Sequence, residues 1–272
     1  MVMSRLLLLT LLLTTNSWAA MAHRVITLSP HATELAASAG LLPNIVAVSE
    51  ASDFPPSVID LPKVANYHGL NIEKIVALKP DLIIAWPNGN PQKEVLLLKK
   101  LGFHIVDSAP QTLAEIADNI DMLSHYSANP SVGRAAAAEF RLALTRLKQQ
   151  YHTQRPVRYY FQVSAKPSIA MSDHDWPSDI FRFCGGKNIF ADAPNAYPQV
   201  NIEQVALKAP EVIFTNTPSF ANDWQALNAQ IPALAKGQVW SLNSDWLTRA
   251  TVRSLEAVKQ VCQFLSIARE KH

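Results

Sequence analysis

The side chains able to act as acids, bases or nucleophiles gather in few places along this chain. Asp173-His174-Asp175 sets two carboxylates beside an imidazole, the residue types of an acid/base pair or a metal site. Three adjacent side chains cannot converge on one atom, because neighbours diverge around a helix and alternate across a strand. The segment therefore reads as a solvated loop. His31 follows Ser29-Pro30 and reads as a helix-start residue, and the remaining histidines are dispersed. There is no GxSxG elbow, no GxGxxG, no P-loop and no HExxH. A binding protein rather than an enzyme is expected, with no metal and no cofactor. A secreted α/β enzyme working through Asp173, His174 or Asp175 is the alternative from another class.

The elements that would position a binding site are legible in the apolar pattern. Short β-branched runs at 24–28, 45–49 and 81–86 alternate with helical patterns, and a second set follows at 157–163, 211–215 and 239–242. That alternation predicts two Rossmann-like α/β lobes with parallel-type sheets, spanning 23–128 and 154–272. Ser29-Pro30 after the first run is a helix start at a strand's carboxyl end, where open α/β sheets bind ligands. Between the lobes, 131–152 has no glycine after Gly133, carries Ala135 to Ala138 and spaces Phe140, Leu144 and Leu147 helically. One long rigid helix over 129–153 should hold the lobes apart, with a ligand cleft between them.

An internal repeat supports this duplication. Residues 71–83 align without gaps on 201–213, with Asn, Ile, Glu, Pro and the final Ile identical, and upstream Tyr67 pairs with Tyr197. Two such units at a fixed offset, one in each block, predict lobes related by an approximate two-fold axis.

The ends and the cysteines bound the compartment. Arg5, an apolar run over 6–13, a polar stretch and small residues read as a signal peptide over 1–22, cleaved after Ala19 or Ala22. That run is about half of the roughly 20 residues needed to span a bilayer, so no membrane anchor is expected. In an exported protein Cys184 and Cys262 are most simply one disulfide, the other reading being free or metal-binding thiols. A net charge of +2 with 17% charged residues supplies no basic stripe for nucleic acid.

Taken together, RVITLSPHATELAASAG, SDFPP, GLNIEKIVALKPDLIIAW, FCGGKNIF, YPQVNIEQV and SDWLTRA resemble the periplasmic vitamin B12 (cobalamin)-binding proteins, the capture components of cobalamin ABC importers. SPxxTE, NIEKIVALKPDL and CGGxNIF belong more widely to the helix-hinged class of solute-binding proteins, which includes siderophore and haem binders. The resemblance implies two lobes on one rigid helix, a disulfide between Cys184 and Cys262, and no catalysis. It also implies a periplasmic location and delivery of cobalamin to an inner-membrane permease of two-fold symmetry. Tyr67, Trp86, Tyr197 and Trp246 would then wall a flat corrinoid, and Asp245-Trp246-Leu247-Thr248-Arg249 would bind it, with Asp245 accepting from an amide. By the same resemblance Glu73 and Glu203 would each meet permease arginines. The chain departs from the family at Ala51, where a tyrosine is common, so one aromatic ligand contact is missing there; Phe54 matches a different family position. A siderophore or haem carrier of the same fold is the nearer alternative.

Overall fold

A computed structural model describes residues 21–152, 155–216 and 230–270. The signal peptide expected over 1–22, with its cleavage point, lies almost wholly outside the described residues. The first lobe runs β1 (Val25–Thr27), α1 (Pro30–Ser38), β2 (Ile45–Ser49), β3 (Lys63–Asn66), β4 (Gly69–Leu70), α2 (Ile72–Leu78), β5 (Leu82–Ala85), α3 (Gln92–Lys100), β6 (Ile105–Asp107) and α4 (Leu113–Ser124). Its sheet has the order β4-β3-β2-β1-β5-β6, parallel throughout except for the antiparallel β3/β4 hairpin. The central strands are apolar without interruption because both faces are covered. Ile26 and Ile83 pack one way with Ile75 and Leu98, while Val25, Leu82 and Ile84 pack the other way with Leu35, Ile116 and Ile120.

The lobes are joined by α5 (Pro130–Gln150), 21 residues or about 31 Å of helix at 1.5 Å per residue. Asn129 caps it and Pro130 occupies the first turn, where a missing N–H costs nothing. Gly133 allows its close approach to α4 and α1, since a Cβ there would lie 2.5 Å from the Ser124 side chain and 3.0 Å from the Ala39 backbone. Phe140 and Leu147 of α5 belong to one apolar cluster that runs from Leu35 and Ile120 in the first lobe to Val157, Phe181 and Val261 in the second. The connection is stiff because it is a helix and because the core continues through it.

The second lobe comprises β7 (Val157–Ala165), β8 (Ser168–Ala170), α6 (Pro177–Phe183), β9 (Gly186–Asn188), α7 (Ile202–Lys208), β10 (Val212–Thr215), α8 (Pro232–Ala235), β11 (Val239–Ser241), α9 (Ser244–Thr248) and α10 (Ser254–Glu270). β11, β10 and β7 are parallel neighbours; on its far side β7 pairs with β9 in parallel and with β8 antiparallel. Cys184, at the end of α6, is disulfide-bonded to Cys262 of α10, and both are fully buried.

The sequence repeat has a structural purpose in each lobe. Asn71 and Asn201 cap α2 and α7, and both helices end on a left-handed non-glycine residue, Lys79 (φ 47°) and Ala209 (φ 44°), just before the matched prolines. The next residue, Asp81 or Glu211, fastens the entry to the lobe's first strand. Asp81 accepts from the His23 and Arg24 amides at 2.8 and 2.9 Å, and Glu211 accepts from the Arg158 amide at 2.9 Å and from Arg155 Nη1 at 2.6 Å.

Candidate functional site

The carboxyl ends of the parallel strands deliver the candidate ligand residues to loops. After β1, Ser29 Oγ caps α1 by accepting from the Ala32 amide at 3.4 Å. A buried chain of hydroxyls links Thr27 to Thr33 at 2.7 Å, Thr33 to Ser52 at 2.9 Å and Ser52 to Ser49 at 2.8 Å. This chain pins the loop after β2, which carries exposed Ala51, to the start of α1. No motif pointed to it, because single hydroxyl residues spread over 26 positions look like background.

Trp86, expected as a wall residue, is 37% exposed just beyond β5. Its amide donates to Asn90 Oδ1 at 2.7 Å, and Asn90 Nδ2 donates to Leu28 O at 2.9 Å, which closes the turn against β1. The indole seats on Gly89, where a Cβ would fall 2.0 Å from the ring, and meets the His31 imidazole edge-on at 5.3 Å. His31 is a helix-start residue as expected, buried, with Nε2 3.0 Å from Ser108 O.

Burial lowers the His31 pKa, and the Ser108 contact only partly opposes this. As pH falls below about 6.5 the unfolded chain takes up this proton first, so stability present above that pH is lost on acidification. The thermal midpoint is expected to drop between about pH 7 and pH 5, and His31→Asn should flatten that limb in a calorimetric pH series.

The paired tyrosines occupy unlike settings. Tyr67 is 89% exposed at the tip of the β3/β4 hairpin and lies against its neighbour His68, with centroids 3.8 Å apart and the ring planes tilted by 39°. Tyr197 is 46% exposed, and its hydroxyl donates to Asp175 Oδ2. Asp173-His174-Asp175 is thus more than the solvated loop its sequence suggests. Asp173 accepts from Asn188 at 3.1 Å and faces Arg182 at 3.8 Å, and of the three only His174 is exposed. The three side chains do diverge, as their adjacency requires.

The helix that carries the 245–249 segment is capped by Asn243, which accepts from the Trp246 amide at 3.2 Å. Asp245 lies in the first turn with Oδ1 3.1 Å from Arg249 Nη2, and its Oδ2 takes no hydrogen bond among the described residues. Trp246 is half-buried against the core, and Thr248 donates to Ser244 O at 2.8 Å. Leu247 is fully buried and offers no side-chain surface to a ligand, a correction to its expected role; it anchors the segment.

Arg249 also departs from a simple ligand contact, because its guanidinium reaches across to the first lobe. It meets Asp53 at 2.5 Å and Glu34 at 3.2 Å, while Arg253 binds Glu34 through Nε at 2.9 Å and Nη2 at 2.5 Å. The Arg249 bond holds the Asp53 carboxyl below its usual range. Arg253 also lies 4.4 Å over the Phe54 ring. Glu34, Asp53 and Arg253 were not picked out from sequence, since their partners lie roughly 200 residues away. Glu73 and Glu203 are exposed in the first turns of α2 and α7, at equivalent places of the repeat. Among the described residues no His/Cys/Asp/Glu group could hold a metal ion, and no helix is long and apolar enough to cross a membrane.

Residues 25–246, taking in the first lobe, α5 and the second lobe as far as α9, match the model of the periplasmic binding protein family. The chain belongs to that family. This periplasmic binding protein is 55% identical over 252 residues to the vitamin B12-binding protein of Vibrio cholerae, covering 92% of this chain and 91% of that one. It superposes on the crystal structure of periplasmic vitamin B12 binding protein BtuF of Vibrio cholerae with a TM-score of 0.87, covering 91% of this chain and 98% of the other at 55% identity. The periplasmic haem binding protein HutB of Vibrio cholerae, at 18% identity and a TM-score of 0.75 over 89% of this chain and 98% of that one, shares the fold.

Proposed function

We propose that this chain captures cobalamin between its lobes in the periplasm and passes it to the permease of an inner-membrane ABC importer, with no bond made or broken. The observation that carries this reading is the presentation of Tyr67, Trp86 and Tyr197, all exposed, on loops of both lobes, in a chain 55% identical to a vitamin B12-binding protein along both lobes. A corrinoid is flat, broad and fringed with amides, so it suits aromatic walls and a few polar acceptors. Asp245 Oδ2 is free among the described residues to accept from one amide. Ala51 contributes no ring, and Arg249, committed to three carboxylates, would have to share its donors with the ligand.

Calorimetric titration with cyanocobalamin, haem and a ferric siderophore tests the cargo. One-to-one binding of cyanocobalamin alone is expected; binding of an iron chelate instead would overturn the cargo but not the family. Glu73 and Glu203 serve as docking contacts, one per lobe, for a two-fold symmetric partner. Reversing both to lysine should abolish uptake in a transport assay while leaving cobalamin affinity unchanged. An equal fall in affinity would assign them to the ligand site instead.

A further inference from the structure

The Asp173-His174-Asp175 segment has no part in the proposed capture, yet it is hydrogen-bonded to one of the proposed ligand walls, Tyr197. We infer that Asp175 is a positioning residue of the cobalamin site, fixing the Tyr197 ring in its ligand-receiving orientation before the ligand arrives. The inference rests on the cobalamin reading.

Its geometric basis is a bracket fastened on several sides. Tyr197 OH donates to Asp175 Oδ2, and the other carboxylate oxygen accepts from the Trp176 amide at 2.8 Å. The Asp175 carbonyl receives the Ser178 hydroxyl at 2.8 Å, at the start of α6. Upstream, the Ser172 amide donates to Ala196 O at 2.9 Å, so the strand of chain leading to Tyr197 is tied to the strand leading to Asp175. Downstream, buried Trp176 donates its indole N–H to Leu247 O at 2.9 Å. Asp175 is therefore joined through one buried side chain to the helix that carries Asp245 and Trp246. The wall and the polar segment are set by a common frame.

A tyrosine ring held only by its backbone keeps two free torsions, and immobilising such a side chain on binding costs affinity. The Asp175 acceptor removes much of that cost in advance. Burial, then the hydrogen bond and charge of Asp175, push the Tyr197 hydroxyl pKa well up, so the phenol stays a donor. Tyr67, at the matching place of the repeat, has no such bracket: its ring rests on His68 at an 89% exposed hairpin tip. One wall is prepared and the other is left to settle on the ligand.

The test compares wild type, Asp175→Ala, Asp175→Asn, Tyr197→Phe and the double variant Asp175→Ala/Tyr197→Phe by titration with cyanocobalamin. Asp175→Ala and Tyr197→Phe should each weaken binding by roughly five- to tenfold, with the double variant no worse than either. Asp175→Asn leaves one acceptor oxygen for two donors, Tyr197 OH and the Trp176 amide, and should fall between wild type and Asp175→Ala. A wild-type Kd for Asp175→Ala, or losses that multiply in the double variant, would overturn the inference. Should Asp175→Ala not fold, Tyr197→Phe keeps the ring and loses only the bond, so a wild-type Kd for it would overturn the inference. Fluorine NMR of the ligand-free protein labelled with 3-fluorotyrosine gives a readout independent of cargo. The Tyr197 resonance, assigned by its absence in Tyr197→Phe, should shift and broaden in Asp175→Ala, and an unchanged signal would refute the tether. Failure of wild type to bind cyanocobalamin would strike the cargo reading, and the positioning role with it, and is told apart from failure of the tether by the NMR result.

Discussion

Replacing Glu34 with glutamine is expected to cost about 3–5 kcal/mol of folding stability, the usual penalty for removing one partner of a buried ion pair. The Glu34 side chain is 1% exposed and receives three hydrogen bonds from two arginines of the other lobe. With a neutral amide there, Arg253 and Arg249 keep their charge but lose their main buried counter-charge. For a chain of this size the loss lowers the melting temperature by roughly 6–20 °C, readable by calorimetry. Replacing Glu34 and Arg253 together by methionine should recover much of that, since no orphan charge is left behind. A cost below about 1 kcal/mol for Glu34→Gln would mean that water reaches the pair and that it behaves as a surface bridge. The same contacts tie α1 and the loop after β2 to the start of α10, so scattering on Glu34→Gln should also show a looser lobe arrangement.

Removing the disulfide is the second large effect. Cys184 and Cys262 close a loop of 78 residues, for which chain entropy gives roughly 4–5 kcal/mol, reduced by any native strain. Alanine at both positions is the informative change, because serine would bury two hydroxyls in an apolar cluster. The double alanine variant should melt well below the oxidised protein and show no further response to reductant, whereas wild type should fall to meet it when reduced. If wild type does not respond to reductant, the bridge either adds little or is sealed from exchange. The bond fastens α6 to α10, the helix that begins directly after Arg253, so the two perturbations act on neighbouring parts of one frame.

Regular structure was the most legible part of this protein. The run at 45–49 is β2 residue for residue, and the Ser29-Pro30 start of α1 is where hydroxyl capping and proline preference place it. The helix expected over 129–153 spans Pro130–Gln150. The repeat predicted matched lobes and left the reason for its acidic residue open; Asp81 and Glu211 clamp strand entries. One reading of the site needed correction and another gained a structural role, for one physical cause. Leu247 fills the core, and Arg249 spends its donors on Glu34, Asp53 and Asp245, because a short helix offers each residue a different direction and sequence does not say which faces the cleft. Asp175 was dismissed because adjacency argues against a metal site but is silent on partners 22 residues away.

The sequence by itself determined what depends on neighbours along the chain: apolar period, helix caps, the duplicated unit, the resemblance to cobalamin-binding proteins and the types of side chain held on loops at strand ends. These follow from local torsions and from patterns repeated every two or 3.6 residues. The tertiary structure alone decided which charges meet across the lobes, which of the two tyrosines is held, and that one continuous core passes through α5 from lobe to lobe. Such pairings join residues brought together only when sheets and helices pack, and their strength comes from exclusion of water at the place where they meet.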